Sequence, residues 1–293
     1  MASDLTLNNS NIARAGGLFR AINQLRLPWI PVLIMLTLVI CAAFAPLLAP
    51  KDPEGISMMD RRIPPFVSFN SPLGTDIMGR DVLSRLIFGA RTTVFISLVA
   101  LGTGALVGTI LGLVAGYHGK WPDILIMRLA DAALGFPTVL VAMIIVTLLG
   151  AGIENIVLAV AITVWARFAR MIRGDVLAIK ELDFITAAKI AGVRAPWIIA
   201  RHIFPNTVNT LMVITSLQVG QVILLEASLA FLGLGLPPGA PAWGIMVAEG
   251  RAVIVQVWWL SLLPGLAITI VVLAFNFFGD WVRDTLDPKL RRA

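Results

Sequence analysis

The chain has 293 residues, 58% of them hydrophobic and only 14% charged, with a mean hydropathy of +0.89. A soluble domain carries about 25% charged residues, so the composition excludes an ordinary soluble fold and points to a polytopic membrane protein. The net charge of +6 is not a nucleic-acid signature here, because Lys and Arg gather in short segments beside apolar runs; the single Cys41 excludes an internal disulfide and any CxxC site.

Residues 1–28 form a polar tail carrying Arg14, Arg20 and Arg26. The run "WIPVLIMLTLVICAAFAPLLA" at 29–49 is long enough, at ~1.5 Å per residue, to cross a ~30 Å hydrocarbon core. Its polar lead and full length favour an uncleaved span over a signal peptide. A loop at 50–92 follows, in which Pro72 and Gly74 make a turn and Asp81 caps a short helix through "VLSRLIF". Five more spans are predicted at 93–116, 133–150, 153–170, 208–230 and 257–278, all within a five-helix core of residues 93–282. Pro137 and Pro264 fall inside two of these and are expected to kink them. Residues 283–293 form a second polar tail. The expected fold is all-α and polytopic, with six transmembrane helices.

Placing both termini in the cytoplasm puts sixteen Lys and Arg residues inside and seven outside, which supports an N-in, C-in topology. The basic loop at 50–92 is the weak point of that count. In the second span, Gly104, Gly108, Gly112 and Gly116 recur every four residues, a face suited to close helix packing, with pore lining as the alternative.

No catalytic or metal motif is visible: no GxxxxGK[ST], no HExxH, no GxSxG, and the two histidines, His118 and His202, lack ligand-like spacing. The chain is therefore expected to be non-catalytic. An ion-coupled carrier would need ionisable residues within its spans. Glu226 is the candidate intramembrane acid, with Gln218 and Gln221 preceding it as possible pathway residues; a structural carboxylate is the alternative for Glu226.

The segment 180–206 lies between two apolar runs and contains "FITAAKIAGVRAPWIIARHIFPN". Phe184, Ala187, Ala188 and Ala191 share one helical face. Gly192 is placed to end this helix in the left-handed conformation, Pro196 to open a second, and Pro205 to stop or bend it. The expectation is two short helices meeting at a glycine elbow, with a shallow alanine surface suited to a groove in another protein.

This segment resembles the EAA loop of bacterial ABC-importer membrane subunits: Glu-Ala-Ala, three residues, Gly, nine residues, Ile-x-Leu-Pro. The matching positions are Thr186, Ala187, Ala188, Gly192 and Pro205, while Thr186 stands for the Glu, His202 for the Ile and Phe204 for the Leu. The stretches "SPLGTDIMGRDVLSRLIFGAR", "EASLAFLGLGLPPGAPAWGIMVAEGR" and "PGLAITIVVLAFNFFGDWVRDTLDPKLR" resemble the C-type subunit of the dipeptide/oligopeptide permease family. The resemblance implies a type I importer permease fold in the bacterial inner membrane, in which 180–206 is a coupling loop. It implies as partners a B-type permease subunit, two ABC ATPase subunits that bind ATP and Mg, and a periplasmic solute-binding protein, with no cofactor in this chain. Peptides are the expected solute, with nickel chelates, opines, glutathione or sugars as alternatives. An ion-coupled secondary transporter is the rival reading; it predicts inverted repeats and paired intramembrane acids, and neither is seen.

Overall fold

A computed structural model describes residues 27–286. It is all-helical. α1 (Trp29–Ala43) bends at Phe44 into the short α2 (Ala45–Leu48), followed by a loop containing one 3-10 turn at Met58–Asp60. α3 runs from Val82 to His118, α4 from Lys120 to Leu134, α5 from Thr138 to Leu149 and α6 from Ile153 to Ile179. α7 (Asp183–Ile190) and α8 (Ala195–Ile198) precede a π-helical turn at Ile199–Ile203, then α9 (Phe204–Phe231), α10 (Trp243–Arg251) and α11 (Trp259–Leu286).

Four helical runs are long and apolar enough to cross a membrane, or five when α4 and α5 count as one broken span. α1, at 15 residues, is about 22 Å long at ~1.5 Å per residue and falls short of a bilayer by itself.

Three expectations need correction. The short helix after Asp81 is not separate. The Asp81 carboxylate accepts from the Ser84 amide and hydroxyl, both at 2.8 Å, and α3 then continues unbroken for 37 residues. Gly89 does not interrupt it, because its missing side chain makes room for the Trp243 indole. The predicted span at 133–150 is instead a pair of helices bent by 91°. Pro137 sits at the break, where it disfavours a helical conformation in Phe136. Pro264, by contrast, does lie inside its helix, α11.

Of the two outcomes expected at Pro205, a stop does not occur. Ala195 through Phe231 form one continuous helical run. A proline ring clashes with the carbonyl four residues back and offers no N–H. Here the widened π turn absorbs that conflict, with the Phe204 amide bonding to the Ile199 carbonyl, five residues back.

The tightest seam is α3 against α6, which run parallel. A Cβ on Gly104 would lie 3.2 Å from the Ala161 carbonyl oxygen, one on Gly108 2.3 Å from that of Trp165, one on Gly112 2.6 Å from that of Ala169, and one on Gly116 3.1 Å from that of Arg173. Four glycines spaced by four thus face four carbonyls spaced by four, and the two backbones touch. Around this seam lie three apolar clusters. Ile96, Phe168, Val222 and Leu229 centre the first, Val82, Trp243, Trp259 and Leu260 the second. The third joins Leu113 of α3 and Ile172 and Val176 of α6 to Ile185, Ile198 and Ile203.

Gly108→Val is expected to destabilise the purified chain by about 1–3 kcal/mol through overpacking. Gly102→Ala, with open space at its Cβ, is expected to leave stability unchanged; thermal unfolding in detergent compares the two.

Candidate functional site: elbow, cavity and clamp

The elbow between α7 and α8 is built by its glycine. Gly192 has φ +76. The Val193 amide reaches the Ala188 carbonyl at 3.1 Å and the Gly192 amide the Lys189 carbonyl at 3.0 Å, the bonding pattern of a Schellman cap. Val193 and Ala188 pack on the third cluster beside Ile185, and Pro196 lies in the first turn of α8. Two further contacts fix the elbow to the end of α3: Lys180 Nζ donates to the Gly116 carbonyl at 3.1 Å, and Lys189 Nζ lies 5.9 Å from the Tyr117 ring centroid.

The other side of the elbow is bare. Phe184, Thr186, Ala187 and Ala191 are exposed, while Ala188 turns partly inward, so the four residues predicted to share one surface do not all do so. Ile190, 84% exposed, and Trp197, 59% exposed, add the largest apolar surface. The sequence reading passed over both, although Ile190 lies next to the alanine face. His202 is half-buried and its ring lies 6.5 Å from that of Phe184, so it contacts the elbow from the π turn. Pro205 is exposed at the start of α9.

A second feature lies between α5, α6 and α9. A cavity of about 210 Å³ is lined by Thr138, Thr163, Arg167, Gln218, Gln221 and Ser228 among apolar neighbours. Arg167 Nη1 donates to the Gln218 Oε1 at 3.1 Å. Glu226 does not join this cavity. It is wholly buried and turned toward Thr93 of α3, because five and eight residues along a helix rotate it away from Gln221 and Gln218. Arg167 lay inside the predicted span at 153–170 but was counted with the cytoplasmic charges, and its partner Gln218 lies 51 positions away on α9.

At the opposite end of the bundle from the elbow, four charges make a buried clamp. Arg85 Nη1 meets Asp76 at 2.8 Å and Glu249 at 2.7 Å. Arg80 bonds to Asp76, to Glu249 at 3.1 Å and to the Gly239 carbonyl at 3.2 Å. Two arginines face two carboxylates, so the cluster is neutral. It joins α3 and the loop before it to α10 and the loop that precedes α10. The Trp259 indole adds a bond to the Thr75 carbonyl at 3.2 Å, and that of Trp243 one to the Leu86 carbonyl at 2.9 Å. Nothing in the sequence pairs Glu249 with arginines some 160 positions earlier.

The family model described as "Binding-protein-dependent transport system inner membrane component" matches residues 108–292, more than half of the chain. The chain belongs to this family. Among its curated relatives, a glutathione transport system permease protein of Pectobacterium atrosepticum is 40% identical over 259 residues, covering 88% of this chain and 86% of the relative. A dipeptide transport system permease protein of Alkalihalophilus pseudofirmus is 39% identical over 274 residues, covering 93% and 89%. Among solved structures, the inward-facing MetNI methionine ABC transporter matches with a TM-score of 0.53 at 15% identity, covering 69% of this chain and 96% of that one. An amino acid ABC transporter gives 0.52 at 16% identity, covering 72% and 95%. These two show the fold of ABC-transporter membrane subunits.

Asp76→Asn would leave two arginines, one of them fully buried, to share the single carboxylate of Glu249. Breaking a buried pair in this way costs about 3–5 kcal/mol, and the expected readout is a lowered unfolding temperature and a reduced yield from membranes. Glu249→Gln, at a partly exposed partner, is expected to do less.

Proposed function

We propose that this chain is one of two membrane-spanning halves of an ATP-driven importer in a bacterial inner membrane, with both termini in the cytoplasm. Its partners are a B-type permease subunit, two ABC ATPases that bind ATP and Mg, and a periplasmic binding protein that delivers the solute. The chain itself carries no cofactor and catalyses nothing. Peptides are the solute class, since the relatives above include dipeptide and glutathione transport proteins. The translocation pathway runs between the two membrane subunits, along the face bearing Arg167, Gln218 and Gln221.

The elbow is the observation that carries this reading. One of its sides is packed through Ile185, Ile198 and Ile203 onto α3 and α6, and the other exposes Phe184, Ile190 and Trp197. Such a piece transmits a push from a partner into the bundle, because a packed helix shifts as a body where a loose loop would yield. An apolar knob on a short helix is also what a groove in an ATPase subunit would accept. The excess of Lys and Arg at the elbow end and the tails fits a cytoplasmic placement.

Ile190→Asp is expected to leave membrane insertion and thermal stability unchanged, because the side chain is 84% exposed. It is expected to reduce the ATPase subunits co-purifying with the chain by about tenfold or more, the loss typical of a buried apolar anchor. Gly192→Asp is expected to act in the same direction by opposing the left-handed turn. Co-purification in mild detergent, quantified by mass spectrometry, measures both; normal ATPase recovery with Ile190→Asp would contradict the docking role.

A further inference from the structure

Three arginines follow one another along α6, at 167, 170 and 173. α4 neutralises two of them: Asp131 pairs with Arg170, and Asp123 with Arg173, where Nη2 meets Oδ2 at 2.7 Å. Among the described residues, Arg167 has no carboxylate in ion-pair reach; it donates instead to the neutral amide oxygen of Gln218. Gln218 is itself buried, 8% exposed, and its Nε2 has no acceptor. No acid lines the cavity in which the two sit, while the hydroxyls of Thr138, Thr163 and Ser228 and the amide of Gln221 do.

A guanidinium within a spanning helix is expensive and is ordinarily held with a counter-charge. This fold supplies one for each neighbouring arginine and withholds it from Arg167. What the cavity offers is a fixed cationic fork beside an amide N–H₂ without an acceptor, while the Thr163 and Ser228 hydroxyls already donate to the Val160 and Leu224 carbonyls. A planar, singly charged carboxylate fits that set. Tight capture would block transit, and a site with a single charge and an open wall holds an anion only loosely.

We propose that Arg167, held by Gln218, is a carboxylate-binding subsite of the translocation pathway, which receives the terminal carboxylate of a passing peptide. The proposal rests on the peptide-importer reading above and adds the group that recognises the solute within the membrane. The same chemistry could come from an acid on the partner membrane subunit, and the experiment separates the two sources.

The assembled importer, reconstituted in vesicles with its binding protein and ATP, is assayed for uptake of Ala-Ala, tetra-Ala and glutathione. For whichever of these the wild type accumulates, Arg167→Gln is expected to lower uptake by about tenfold or more, the worth of one charge-assisted hydrogen bond. Recovery of the complex and the stimulation of ATP hydrolysis by the binding protein are expected to stay as in the wild type. Arg167→Lys, which keeps the charge but not the planar fork, is expected to retain more uptake than Arg167→Gln and less than the wild type. Unchanged uptake in Arg167→Gln overturns the proposal, as does an equal loss in both variants. Loss of complex recovery or of stimulated ATP hydrolysis in Arg167→Gln also overturns it and assigns the arginine to a partner's acid. If the wild type accumulates none of the three solutes in an ATP-dependent manner, the peptide-importer reading itself fails, and the subsite with it.

Discussion

Backbone contact between α3 and α6 is the constraint from which the rest of the structure follows. Four glycines of α3 meet four carbonyls of α6 in register, and no side chain separates the helices. The two therefore behave as one thick rod. α6 is consequently the most enclosed of the long helices, with α3 on one side and α4, α5 and α9 around it. Each functional feature is mounted on this rod. The elbow packs on Leu113, Ile172 and Val176 at one end. The clamp holds Arg85, in the first turn of α3, at the other. The cavity takes Thr163 and Arg167 from the flank of α6.

The charges of the bundle divide by the same logic. At the clamp end, two arginines and two carboxylates cancel in a largely buried site, where an unpaired charge would be costly. Toward the elbow, Arg170 and Arg173 are matched by acids of α4. Between these regions Arg167 meets, among the described residues, a neutral partner only. A rigid rod with paired charges near its ends and an arginine facing a neutral partner along its flank suits the proposed role, a subunit that moves as a body and meets the carboxylate of a solute as it does so.

Much of this was legible in the sequence because it depends on local rules. A four-residue glycine period states that one helix face lacks side chains, and that face is the seam. Gly192 and Pro196 carry the helix-ending and helix-starting chemistry of the elbow in their own residue types. The failures share a cause: each residue was read against its neighbours in sequence when distant residues decided its role. The basic residues of 50–92 read as loop charges, yet Arg80 and Arg85 are buried against Asp76 and Glu249, and the helix that Asp81 caps runs on for 37 residues. Pro205 signals a stop, yet one widened turn carries the helix past it. Arg167 fell inside the predicted span at 153–170 but was counted as a topology charge, and only the fold sets it beside Gln218 of α9. Glu226 and Gln218 share a helix, but rotation about its axis sends one toward α3 and the other into the cavity.

The central claim is that the exposed elbow is the surface through which ATPase subunits drive this bundle. A photo-crosslinking amino acid placed at Ile190, in native membranes, tests it most directly. The account predicts an adduct between this chain and a P-loop ATPase subunit, with a yield that changes when ATP is added. Adducts to lipid or to unrelated proteins, with no ATPase among them while the chain remains in an assembled complex, would contradict it.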